Sequence, residues 1–195
     1  MRTFMISGLM AALNLMACNN SSDTKPAEAS KSGASDSSGQ RPNVSDAVTT
    51  HANSLNGILS AYLQIKNALA NDDPEEAAKS GNAFVEALGK LDAAAMTAEQ
   101  KKTFGEASDD AKEMAEHIGN SAGKIAHQRE HFEMLSNDMY AMVKALKADQ
   151  TLYMDHCPMY NDGKGADWIS ETKTIRNPYL GKKMPTCGEV KEEIK

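Results

Sequence analysis

Residues 44–74 read VSDAVTTHANSLNGILSAYLQIKNALANDDP, and this stretch decides the fold. Within it Val44, Val48, His51, Leu55, Ile58, Tyr62, Ile65 and Leu69 alternate spacings of four and three. Positions so spaced share one side of a helix with 3.6 residues per turn, so the stretch predicts an amphipathic helix that needs partners for its apolar face. Asn71-Asp72-Asp73-Pro74 stops it. Pro74 suits the first turn of a second helix, where its missing N–H has no intrahelical role, and Glu75 and Glu76 lie favourably near the positive end.

The same rhythm continues downstream. The second helix would bury Ala77, Gly81, Phe84, Leu88 and Leu91. Thr97 and Gln100 form a Thr-x-x-Gln capping box that starts a third helix, with Phe104, Ala107, Ala111, Met114 and Ile118 as its stripe. Gly119-Asn120-Ser121 breaks it, and a fourth helix carries Ile125, Gln128, Phe132, Leu135, Met139, Met142 and Leu146. Four amphipathic helices with short links predict an all-α fold, an up-down-up-down four-helix bundle over residues 44–148.

Residues 149–195 differ in character. Pro158, Gly163, Gly165, Pro178, Gly181, Pro185 and Gly188 interrupt any helical period. The same stretch holds Trp168, Tyr153, Tyr160, Tyr179, Cys157 and Cys187. Turn residues mixed with aromatics predict an ordered, irregular C-terminal segment packed on the bundle.

Before the bundle, Arg2 precedes a short apolar run through Ile6, Leu9, Leu13 and Leu15, the layout of a secretory signal over residues 1–17. The run is shorter than the about 20 residues that span a membrane. It ends in Leu15-Met16-Ala17-Cys18, which resembles a lipobox, with Cys18 as the lipid-bearing first residue of the mature chain. The plainer alternative is an ordinary leader followed by an incidental Cys. Past Cys18, residues 19–43 are mostly Asn, Ser, Asp, Lys, Gly, Ala and Pro with almost no large apolar side chain, so residues 18–43 have the composition of a lipid-anchored disordered tether. Asn rather than Asp at position 19 favours the outer membrane under the enterobacterial sorting pattern. The expectation is therefore a periplasmic protein held to a membrane through Cys18.

The net charge of −6 becomes −7 once Arg2, the only charged side chain of the leader, is removed. No run of Lys and Arg appears, which argues against a nucleic-acid partner. There is no Gly-x-Ser-x-Gly, no phosphate loop, no dinucleotide glycine pattern and no His-Glu-x-x-His, so the chain does not read as an enzyme.

The chemistry concentrates in Met154-Asp155-His156-Cys157-Pro158-Met159 and Met184-Pro185-Thr186-Cys187-Gly188. Each half offers a thiol and a thioether. These soft donors, with imidazole as an optional addition, suit Cu(I). Two Cys in an exported protein also commonly form a disulfide, so a stapled loop and a metal site both remain open. His127 and His131 stand four apart on the fourth helix and face one way; a polar flank is the plain reading of that pair. His51 occupies the apolar stripe of the first helix, where an imidazole needs a partner. In an up-down-up-down bundle the fourth helix ends beside the start of the first, so His51 is expected to approach the Cys157–Cys187 cluster as a further ligand or hydrogen-bond donor.

The segments Leu152-Tyr153, His156-Cys157-Pro158-Met159, Gly165-Ala166-Asp167-Trp168-Ile169-Ser170, Ile175-Arg176-Asn177-Pro178-Tyr179-Leu180-Gly181 and Cys187-Gly188-Glu189-Val190, with Met184, resemble the domain of unknown function 3347. So do Tyr62-Leu63 and Lys66-Asn67-Ala68-Leu69 in the first helix, and Gln128-Arg129, Phe132 and Leu135-Ser136 in the fourth. The resemblance runs over roughly residues 45 to 192. Leu180 stands where that family usually has Phe, and Pro185 where it tends to have Leu; neither is a ligand position. The family occurs as exported lipoproteins and as domains on periplasmic adaptors of heavy-metal efflux pumps. The resemblance therefore implies copper or silver handling, with His156, Cys157, Met159, Met184 and Cys187 as candidate ligands and Trp168, Asn177 and Tyr179 around them. The expected function is sequestration of Cu(I) or its delivery to an efflux system. The alternative is a disulfide-stapled module that docks on an efflux adaptor without metal.

Overall fold

The computed structural model describes the backbone of residues 44–195 and the side chains from residue 55 onward, residue 95 excepted. The leader, Cys18 and the tether lie outside the described residues, and so does the side chain of His51.

Four helices come first: α1 (Val44–Ala70), α2 (Pro74–Gly89), α3 (Ala98–Gly119) and α4 (Ile125–Leu146). Their ends follow local chemistry. The Asp73 carboxylate accepts from the Glu76 N–H at the start of α2, with Pro74 in the first turn. At the start of α3 the Thr97 hydroxyl accepts from the Gln100 N–H, and the Gln100 side chain accepts from the Thr97 N–H. Each helix packs on the next, and α1 also packs on α4. The core between them holds Leu55, Ile58, Tyr62, Ile65 and Leu69 of α1, Phe84 of α2, Ala111, Ala115 and Ile118 of α3, and Phe132, Leu135, Met139 and Met142 of α4. Leu91, Phe104, Met114, Ile125 and Leu146 are only partly buried at its margins.

The fold is not all-α. The C-terminal segment, expected to be irregular, forms a small antiparallel sheet of β1 (Leu152–Cys157), β2 (Ala166–Ser170) and β3 (Glu189–Ile194), in the order β2-β1-β3. The Pro and Gly residues that mask it in the sequence all fall in connections. Pro158, Gly163 and Gly165 join β1 to β2, and Pro178, Gly181, Pro185 and Gly188 lie between β2 and β3. Strand β3 is itself disguised, because its Glu189-Val190-Lys191-Glu192-Glu193-Ile194 is nearly all charged. Charge of this kind suits an edge strand, since it discourages pairing with another chain.

The sheet is bonded to the helices through Tyr62. Ser136 Oγ donates to the Phe132 carbonyl at 2.7 Å, so the Tyr62 hydroxyl donates to Ser136 Oγ at 2.8 Å and accepts from the Ile169 N–H at 3.0 Å. The Tyr62 ring stacks on Phe132 with centroids 5.1 Å apart. Nearby, buried Lys66 pairs with Glu171, which also accepts from Asn67. Asp155, fully buried on β1 with neither carboxylate oxygen hydrogen-bonded, is pushed up to about 7 by burial, Lys66 pulling the other way.

Candidate metal centre

The sheet register brings the two halves of the Cys/Met cluster together. His156 of β1 lies opposite Glu189 of β3, so Cys157 at the end of β1 meets the chain just before β3, where Cys187 sits. The two sulfurs are 3.4 Å apart and both thiols are free. Cys157 is buried in the core, while Cys187 is half-buried and packs against it. Burial pushes the Cys187 thiol up, and the neighbouring Cys157 adds to the effect. At neutral pH Cys187 is therefore protonated, and a metal ion bound there must displace a proton.

Two turns hold this arrangement. Asn177 is fully buried; its amide donates to the Cys187 carbonyl at 2.6 Å, and its own oxygen accepts from the N–H groups of Tyr179 and Leu180, both at 2.8 Å. The Asn177 N–H donates to the Pro185 carbonyl at 2.9 Å. Gly188, with φ +145°, closes the second approach: a Cβ there would lie 2.8 Å from the His156 carbonyl oxygen and 2.9 Å from the Trp168 ring. Trp168 and Tyr179 pack beneath at a centroid distance of 5.9 Å, and the Tyr179 hydroxyl donates to the Asp167 carbonyl at 2.5 Å.

Met159 and Met184 flank the pair. The Met159 backbone N–H points to the Cys187 sulfur, and the Met184 carbonyl accepts from the Cys187 N–H at 3.2 Å. Both side chains are exposed, Met159 to 59% and Met184 to 39%. Exposed large apolar side chains are few among the described residues: only Met134 and Val190 join these two. Two exposed methionines thus adjoin the thiol pair through their backbones.

His156 takes another direction. Successive residues of a strand point to opposite faces, so His156 and Cys157 diverge. The His156 Nδ1 bonds the Asp167 carboxylate across the β1–β2 pair at 2.7 Å. Gly165, at φ +80°, leaves room for the ring, since a Cβ there would lie 2.6 Å from His156 Cε1. Adjacency in sequence thus did not translate into a shared site. His51 lies in α1, but its side chain is outside the described residues. Strand β1 is extended and carries the chain about 20 Å in six residues, away from the end of α4 and back along that helix. Tyr160 accordingly feels the charges of Glu133, Glu130 and Arg129 in the first turns of α4.

The model of the family described as Protein of unknown function (DUF3347) matches residues 58–151. The match covers most of the helical part and ends one residue before β1, so it is narrower than the resemblance over residues 45 to 192, and Cys157, Met159, Met184 and Cys187 lie beyond it. No curated protein and no solved structure matches the chain.

Proposed function

We propose a function for a chain that belongs to the family of proteins of unknown function DUF3347: it holds one soft metal ion, Cu(I) before others, as a lipid-anchored periplasmic protein that sequesters the ion or hands it to an efflux system. The observation that carries this reading is the pair of free thiols 3.4 Å apart, with the exposed residues Met159 and Met184 in backbone contact with Cys187. Cys157 and Cys187 are the thiolate ligands, and Met159 and Met184 supply thioethers from the open side. His156 projects from the face of β1 opposite to Cys157 and sits outside the set, and His51 is kept as a further donor only in this proposal. The helices are read as an up-down-up-down bundle on the strength of their short links and of the α1–α4 packing that closes the ring.

The experiment is a Cu(I) titration of the full-length protein in detergent, reduced and kept from air, against a chromogenic Cu(I) chelator. About one equivalent is expected to bind. Because the thiols must lose their protons, the apparent affinity is expected to rise with pH, about tenfold per unit for each proton displaced. A protein that is fully oxidised as isolated, and takes up no Cu(I) after reduction, would support the disulfide-stapled docking module instead.

The anchor has its own test. If Cys18 carries the lipid, Cys18→Ser is expected to move the protein from the membrane fraction to the soluble periplasm. Unchanged membrane association of that variant contradicts the lipoprotein reading.

A further inference from the structure

We infer that His117, His127 and His131 form a second metal site, one that takes a transition-metal ion preferring imidazole, with Cu(II) bound most tightly. Helix α3 ends and α4 begins across a short turn, which sets His117 of α3 beside the first two turns of α4. One nitrogen from each of the three rings lies within 4.8 Å of the other two. His127 Nε2 and His131 Nε2 are 3.0 Å apart. Two imidazole nitrogens bound at 2.0–2.1 Å to one ion, at angles between square and tetrahedral, stand about 2.9–3.4 Å apart, so these two already have the spacing of neighbouring ligands.

The outer contacts prepare the same nitrogens. Glu130 lies 3.3 Å from His127 Nδ1, which favours the proton on Nδ1 and leaves the Nε2 lone pair free for an ion. On His131 the Nδ1 faces the Met114 sulfur at 3.4 Å, while its Nε2 is within hydrogen-bond distance of His127 Nε2. A metal-binding histidine characteristically gives its second N–H to such a partner, which fixes ring and tautomer. His117 stacks on His131 with centroids 4.4 Å apart, and its Nε2 lies 3.7 Å from Glu113. Met134, three residues after His131 and 43% exposed, adds a thioether one turn along the helix. Without an ion a proton bridges His127 Nε2 and His131 Nε2, and a bound cation takes its place. His127 and His131 offer one nitrogen each at ligand spacing, and His117, stacked parallel to His131, turns its ring to join them when an ion binds.

This inference is independent of the thiol site and is tested where thiols cannot reduce the probe. Full-length Cys157→Ala/Cys187→Ala protein in detergent is titrated with Cu(II) against a weak chelator and examined by electron paramagnetic resonance. One tight equivalent with nitrogen hyperfine structure is expected. His117→Gln, His127→Gln and His131→Gln, with helicity checked by circular dichroism, should each weaken binding about tenfold or more; Glu130→Gln, which keeps all three rings, should weaken it less. Absence of a tight equivalent, or affinity unchanged in all three histidine variants, overturns the site. Should the second site stand while the titration with Cu(I) fails, only the thiol reading falls.

Discussion

Cys157→Ala combined with Cys187→Ala is expected to abolish tight Cu(I) binding, with a loss of about a hundred- to ten-thousandfold. The magnitude follows from ligand count: loss of even an outer-shell partner typically costs 10–100-fold, and two direct thiolates are removed here. Met159→Leu and Met184→Leu keep volume and apolarity, and both side chains are exposed, so these variants should fold normally and lose about tenfold each. Competition with a chromogenic chelator reads both effects, and circular dichroism separates them from unfolding. A double Cys variant that still binds Cu(I) within a few-fold of the unaltered protein would refute the site. The Met variants add a second criterion, because a disulfide-only role for the two Cys predicts no effect of either Met.

Arg129→Met is expected to destabilise the fold by about 3 kcal/mol, which for a domain of this size lowers the melting temperature by roughly 6–12 °C. Arg129 is only 13% exposed in its side chain and makes three bonds. Its Nε donates to the Pro178 carbonyl at 2.8 Å; one terminal nitrogen donates to the Leu69 carbonyl at 2.9 Å and to Asp72 Oδ1 at 2.6 Å. Asp72 in turn accepts from the Lys182 N–H at 3.1 Å. Burial pushes the Asp72 carboxyl up, but Arg129 and Lys182 outweigh it and hold it below the usual carboxylate range. One side chain therefore ties the end of α1 and the start of α4 to the loop that leads to Met184 and Cys187. Arg129→Lys should rescue little of this, since a point-charge ammonium cannot reproduce a planar fork that serves two carbonyls and a carboxylate. Thermal unfolding monitored by circular dichroism measures the shift. A change within about 1 kcal/mol would show that the loop is held by its own packing, through Asn177 and Tyr179.

The family match and the metal chemistry lie on different parts of the chain. The matched residues 58–151 supply most of the helices, including Arg129 and the three histidines. The thiol pair belongs to the sheet that follows, so the family match says nothing by itself about the thiols. The His cluster, by contrast, falls inside the matched residues.

The sequence by itself determined the helices. The stripe Leu55, Ile58, Tyr62, Ile65 and Leu69, the Asp73 cap, Pro74 and the Thr97–Gln100 box all act within one or two turns, and all are found where the local pattern puts them. Information of that range is readable along a single chain. The sequence also marked Cys157, Met159, Met184 and Cys187 as soft donors, because donor chemistry belongs to the side chain itself. Tertiary structure alone decided the rest. Strands β1, β2 and β3 pair residues 9 to 42 positions apart, with Cys157 opposite Ala166 at the near end and Leu152 opposite Ile194 at the far end. No local period announces such pairing when the edge strand is a run of charges. The pairing set Cys187 against Cys157 and turned His156 away from both. The α3–α4 packing likewise added His117 to a His127–His131 pair that, on one helix, reads only as a polar flank. Contacts between distant parts of the chain depend on which faces find each other in the folded core, and that is a property of the whole packing.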